Sequence, residues 1–135
     1  MRIEHSQRAA KTPAFALLAE GWNELVQEGF TPEGDGLSPV KPDDEVLFAA
    51  SPEGDIVGVV AYGVSDGVCE VSLVYVEPSS RKRGVFKALL GALRETAKAR
   101  GATRVVVEAP IENAPFQAIM RRLNSPAVSV VFELA

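Results

Sequence analysis

Between Phe86 and Ala97 the apolar residues Phe86, Leu89, Leu90, Leu93 and Ala97 fall at i, i+3, i+4, i+7 and i+11. That spacing predicts a helix laying one face on a sheet and ending near Gly101. Upstream the period shortens. "EVLFAAS", "IVGVVAYGV" and "VCEVSLVYV" are strand-like runs separated only by "PEGD" and "SDG". Short polar links with glycine predict an antiparallel meander of two tight hairpins. Downstream, "TRVVVEAP" predicts a buried strand, "NAPFQAIMRRL" a short helix with Pro115 in its first turn, and "PAVSVVFELA" one closing strand. At the other end, Phe15, Leu17, Leu18, Trp22, Leu25 and Val26 recur near helical spacing. They predict a helix from about Ala9 to Glu28, with Gly21 the place where it would break. "GFTPEGDGLSPVKPDDE" then carries glycines and three prolines and predicts a long loop.

The order is helix, three antiparallel strands, helix, strand, helix, strand. It predicts an α+β fold with a mixed, mainly antiparallel sheet and a βαβ unit at its centre. A chain of 135 residues is enough for one compact core and too short for two ordinary ones, so residues 1–135 are expected to form a single domain. No apolar run approaches the ~18 residues of a membrane helix, and the first residues lack the apolar block of a secretory signal. One cysteine, Cys69, and one histidine, His5, supply neither an internal disulfide nor a metal cluster. A cytoplasmic, metal-free protein is expected.

Charge divides along the chain. From Glu20 to Glu70 nearly every charge is acidic, with Lys41 the exception; from Arg81 to Arg104 nearly every charge is basic, with Glu95 the exception. The net charge is −4, whereas a protein that wraps nucleic acid is usually basic overall. The pattern points to one anionic ligand, and nucleic acid is disfavoured as a partner.

The candidate seat for that anion is "VEPSSRKRGVFKALL", where a strand stops and Arg81, Lys82 and Arg83 crowd against Gly84 at the start of a helix. A first helical turn presents unpaired N–H groups and the positive end of the dipole. Glycine allows unusual dihedrals and a close ligand approach, and the cations add attraction to phosphate. The stretch is neither a Walker loop nor a dinucleotide fingerprint. On those residues alone, an ordinary loop into a helix fits as well.

"VYVEPSSRKRGVFKALL" resembles the acetyl-CoA signature of the GNAT N-acetyltransferase superfamily, [QR]-x-x-G-x-[GA]. Arg81 falls at the first position and Gly84 at the central glycine, while Phe86 departs from the usual small residue. The likeness continues outward: "IVGVVAYGV" with Gly58, "VCEVSLVYV" with Glu70 eleven residues before the signature, and "ARGATRVVVEAPIENAPFQAIMRRL" with Asn113 opening a helix. It covers about residues 46 to 123. The resemblance implies that acetyl-CoA is the co-substrate. It implies a pyrophosphate held by the backbone of Lys82, Arg83, Gly84, Val85, Phe86 and Lys87 after Arg81, and a pantetheine arm along Val74, Tyr75 and Val76. It further implies contacts from Asn113 and Phe116, and Glu70 as base. Two departures stand out. Met120 occupies the place of the usual tyrosine acid, and one closing strand stands where the family has a hairpin, an arrangement a second subunit would complete as a homodimer.

Strand alternation places Glu70, Ser72, Val74 and Val76 on one face and Cys69, Val71, Leu73 and Tyr75 on the other. Glu70 would then lie among apolar neighbours, where desolvation favours proton uptake. Cys69 is either a nucleophile or a buried structural residue. The resemblance thus implies an N-acetyltransferase moving acetyl directly to a primary amine on a small molecule or a protein. The acidic stretch from Glu33 to Glu45 would face a cationic acceptor. The competing readings are a non-catalytic acyl-CoA-binding or protein-interaction module and acetylation of charged transfer RNA, which the acidic balance disfavours.

Overall fold

The computed structural model describes residues 1–6, 8–27, 40–108, 127–128 and 131–133. The expected helix with Asn113, Phe116 and Met120, and most of the loop after Glu28, lie outside them. The meander forms as predicted: β2 (Glu45–Ala50), β3 (Ile56–Ser65) and β4 (Val68–Val76) pair antiparallel in sequence. Asp66 and Gly67 make the β3–β4 link, both at positive φ (52° and 76°), a pair of left-handed residues that matches the twist of the strands it joins.

Ahead of the meander lies a strand that the apolar pattern does not announce. β1 (Arg2–His5) runs antiparallel to β2, from Arg2 opposite Ala50 to His5 opposite Leu47. The first helix, α1, spans Phe15–Gln27, later than the expected start at Ala9. Before it, the amides of Ala9 and Ala10 bond to the carbonyls of Asp44 and Pro42, which draws the chain out of helical pairing. Thr12 leads into the helix: its Oγ1 accepts from the Ala14 amide at 3.1 Å and its carbonyl from the Phe15 amide at 3.2 Å, with Pro13 in the turn just before the first helical residue. The helix does not break at Gly21. A Cβ on Gly21 would stand 2.8 Å from Cβ of Tyr75, so the glycine lets α1 settle on β4.

α2 (Val85–Ala99) follows β4 and ends at Gly101, φ 81°, close to where the pattern placed it. β5 (Arg104–Glu108) then pairs parallel with β4. The closing strand is a correction. β6 (Ala127–Val128) and β7 (Val131–Glu133) pair antiparallel, Val128 opposite Val131, so the run "PAVSVVFELA" holds a hairpin. The run carries no glycine, proline or Asn between its two strands to mark the reversal, and the ground for expecting a second subunit to complete this edge is removed. The sheet order is β1-β2-β3-β4-β5-β7-β6.

Each face of the sheet carries a core. Leu47, Val60, Tyr62, Cys69, Val71 and Val76 meet Val85, Leu89, Leu90 and Leu93 of α2. Val46, Phe48, Val59, Ala61 and Leu73 meet Leu17 and Leu18 of α1. Gly58 sets the first of these distances. A Cβ there would stand 2.7 Å from Cγ1 of Val85 and 3.0 Å from Cδ1 of Leu89. Gly58→Ala should therefore push α2 off the sheet and lower stability by about 1–3 kcal/mol, read as a reduced denaturation midpoint.

Candidate functional site

The loop between β4 and α2 begins with one 3-10 turn, Pro78–Ser80, in which the hydroxyls of Ser79 and Ser80 both donate to Glu77 Oε1 (3.0 and 2.9 Å). Lys82 then takes φ 64° and Gly84 φ 82°, ψ 7°. Left-handed residues interleaved in a turn aim successive N–H groups into one concavity. The first amide bonded along the helix axis is that of Ala88, to Gly84 O at 3.0 Å, so those of Val85 and Lys87 precede the intrahelical ladder. A Cβ on Gly84 would meet nothing within 4 Å, so the space outside the turn is open. Lys82, Arg83 and Lys87 are exposed around it, whereas the Val85 side chain is buried and Phe86 packs at the edge of the α2 core. With its side chain buried, Val85 can offer a ligand only backbone.

β4 is paired on one side along its length and on the other only in part. Its parallel rungs with β5 run from Val68 opposite Arg104 to Val71 opposite Val107. Among the described residues, nothing from Ser72 to Val76 pairs with β5. Val74, Tyr75 and Val76 therefore share an edge that runs from the middle of the sheet to the turn. The Val76 carbonyl already accepts from Arg81 Nε at 2.9 Å.

The two-residue alternation fails inside β4. Ala61 faces Leu73 but Tyr62 faces Val71, so Ser72 is an extra residue with no partner in β3. This bulge reverses the faces beyond it. Cys69 and Val71 share the α2 side with Val74 and Val76, while Leu73 and Tyr75 lie on the α1 side. Glu70, opposite Gly63 in the ladder, joins Tyr75 there. The expected face assignment is thus corrected, and so is the expected burial: Glu70 is exposed, not packed among apolar side chains.

Glu70 lines an open groove of about 740 Å³ with Asp43, Asp44, Glu45, Asp66, Ser72, Lys41, Arg8 and Arg100. Arg100 pairs with Glu45, and Arg8 donates to the Asp43 carbonyl at 3.0 Å. The described end of the acidic stretch therefore reaches the same groove as Glu70. Asp44 and Ser72 belong to it without having been singled out as site residues. The signal for Asp44 was a proline followed by two aspartates just before a strand, a turn-forming sequence.

Arg81 takes a place that its motif position does not predict. Its Nη2 bonds to Glu24 Oε1 and Oε2 (3.0 and 2.8 Å), and its guanidinium lies 5.3 Å from the centre of the Tyr75 ring. Its side chain ties α1 to β4 and does not line the concavity of the turn. Burial pushes the Glu24 carboxyl up, but hydrogen bonds from Arg81 and Tyr75 and the Arg81 charge outweigh it, so the net direction is down. A depressed carboxylate contributes stability that is present above its unfolded value and lost as pH falls through the folded one. Both partners are partly exposed, so screening keeps the effect small. Glu24→Gln should be about 0.5–1 kcal/mol less stable than wild type at pH 7, with the gap closing below about pH 4, as urea unfolding at both pH values would show.

Burial first, then the Glu24 hydrogen bond and charge, push the Tyr75 hydroxyl up. Burial, and then the charge at Cys69, push the fully buried Tyr62 up. Cys69 has no exposed surface, and burial followed by the Glu70 charge pushes its thiol up to about 11. At neutral pH it is a packed thiol, not a nucleophile. Asn113 and Phe116 cannot be placed against these residues. Among the described residues no group of His, Cys, Asp and Glu is arranged to hold a metal ion, and no helix is long and apolar enough to cross a membrane.

A mixed sheet with the parallel β4–β5 pair inside it, a nested turn between β4 and α2 and a helix on each face make up the fold of the N-acetyltransferase class. The chain belongs to the GNAT family of acetyltransferases: the profile described as "Acetyltransferase (GNAT) family" matches residues 13–124. It is 37% identical over 80 residues to Probable N-acetyltransferase 14 of Danio rerio, a match covering 58% of this chain and 29% of that protein. The chain thus spans less than a third of that relative. Among solved structures, one from Klebsiella pneumoniae subsp. pneumoniae superposes with a TM-score of 0.74 at 24% identity, covering 98% of this chain and 95% of the other. A Bacillus subtilis acetyltransferase in complex with CoA gives 0.68 at 17% identity, covering 95% and 78%. The ribosomal-protein-alanine N-acetyltransferase of Brucella melitensis gives 0.68 at 23%, covering 99% and 96%.

Proposed function

We propose that the protein is an acetyl-CoA-dependent N-acetyltransferase that moves an acetyl group directly to a primary amine. The observation that carries this reading is the edge of β4 that, among the described residues, has no rungs with β5, and that runs from the Ser72 bulge beside Glu70 to the nested turn at Lys82–Gly84. A thioester of CoA has the matching order of parts: pyrophosphate, extended amide-bearing arm, acyl group. The turn fits the pyrophosphate through the Val85 and Lys87 amides and the Lys82, Arg83 and Lys87 charges. The edge from Val74 to Val76 fits the arm as an added strand. A solved acetyltransferase of the same fold is in complex with CoA, which supports CoA as the kind of ligand.

The acceptor enters by the groove. An alkyl amine has a pKa near 10, so at neutral pH it must lose a proton before it attacks. Glu70, directly or through water, takes that proton. The amine nitrogen bonds to the acyl carbon as the carbon–sulfur bond breaks, and solvent protonates the released thiolate. A backbone amide of β4 near the bulge polarises the carbonyl oxygen. The acidic lining favours an acceptor with further positive charge, on a small molecule or a protein.

Calorimetry with acetyl-CoA, CoA and ADP tests the cofactor. Tight binding of the first two and weaker binding of ADP is expected; no binding at millimolar ligand would overturn the reading. One observation favours a second reading, an acyl-CoA-binding module without turnover: among the described residues both tyrosines are committed, Tyr75 to Glu24 and Tyr62 to the core. Acetyl-CoA binding with no release of CoA across a panel of amines would select it.

A further inference from the structure

Asp44 and Thr12 are the two buried polar or charged residues of the described chain, and Asp44 is 6% exposed. A buried carboxylate is retained only where hydrogen bonds meet it. Asp44 Oδ2 accepts from Ser72 Oγ at 2.6 Å and from the Lys41 amide at 3.0 Å. Its backbone is fixed as well, the amide to Lys41 O at 3.0 Å and the carbonyl to the Ala9 amide at 2.9 Å. Asp44 stands at the start of β2 and Ser72 on β4, so the bond crosses β3. It does so over Gly63, where a Cβ would lie 3.5 Å from Asp44 Oδ1. The residue it grips is the one that the β3 ladder leaves out.

We infer that Asp44 is a positioning residue for the acyl end of the cofactor, acting through Ser72 on the β4 bulge. The inference rests on the acetyl-CoA reading above. A bulge is one residue that could sit at any of several rungs, and a shift by one rung turns neighbouring side chains to the opposite face. The Asp44–Ser72 bond fixes it between Val71 and Leu73. That placement puts Glu70 on the groove side and sets the bulge just past the last rung with β5 among the described residues. The turn that would hold the phosphates lies at the far end of the edge and does not depend on this bond.

The test compares Ser72→Ala, Ser72→Thr and Asp44→Ala with wild type by calorimetry against acetyl-CoA, CoA and ADP, below the unfolding temperature of each protein. Ser72→Ala and Asp44→Ala should weaken acetyl-CoA by about tenfold or more and leave ADP within about twofold, because only the acyl end is misplaced. Ser72→Thr, which keeps the hydroxyl, should restore most of the loss. An equal loss of all three ligands would show a general structural role and overturn the inference, as would unchanged acetyl-CoA binding. Should Asp44→Ala fail to fold, Ser72→Ala at its half-buried position decides the matter. A wild-type protein that ignores all three ligands overturns the cofactor reading, and the inference with it. A wild type that binds them beside an indistinguishable Ser72→Ala overturns the inference alone.

Discussion

Gly84→Glu is expected to remove acetyl-CoA binding at ligand concentrations that saturate the wild type, a loss of about a hundredfold or more. Two effects act together. The residue has φ 82°, where a side chain costs about 1–2 kcal/mol of backbone strain. The new carboxylate would also project into the open space that the turn amides face, where an anion should sit. Gly84→Ala separates these effects, since it introduces the strain without the charge. It should melt a few degrees lower and keep most of its affinity. Calorimetry and a thermal melt on both variants make the check. Wild-type affinity in Gly84→Glu would mean that the turn is only the start of a helix.

Glu70→Gln is expected to lower turnover by about 10²–10³ at neutral pH while acetyl-CoA affinity stays within about twofold. Gln has nearly the same shape and still lines the groove, but it cannot take a proton. The direction with pH follows from the acceptor. As pH rises toward the amine pKa near 10, more of the acceptor is already neutral and the base is needed less. The ratio of wild-type to variant rate should therefore shrink as pH increases. Equal rates at every pH would remove Glu70 from the mechanism. Glu70 is exposed in an open groove, an arrangement that leaves room for proton transfer by way of a water.

The parts of this fold that could be read in advance are those set by local pattern. α2 has a full apolar stripe, the meander has three strand-like runs with turn residues between them, and the turn at Gly84 needs a residue that tolerates positive φ. The resemblance to the GNAT signature rested on those same elements, and the family match bears it out. Features set by distant partners stayed hidden. β1 is four residues long with little apolar content, and it exists because β2 offers an edge. Arg81 reads as a phosphate ligand until Glu24, 57 positions away in sequence, takes its guanidinium. The bulge at Ser72 is invisible to alternation, since one extra residue leaves the composition of the strand unchanged yet brings Glu70 and Tyr75 to one side. The last hairpin was hidden because no glycine, proline or Asn separates its two strands.

The parallel pairing between β4 and β5 bears also on how the chain assembles. β2, β3 and β4 are joined by links of a few residues and can zip together with little loss of loop entropy. Val68–Val71 meet Arg104–Val107 only after the whole of α2 has folded back across the sheet. Pairing between segments this far apart costs more loop-closure entropy than either hairpin does. The edge proposed to take the cofactor arm is thus bounded by rungs that carry this entropic cost. A ligand that spans turn and edge binds only the completed arrangement, and by mass action it stabilises that long-range closure.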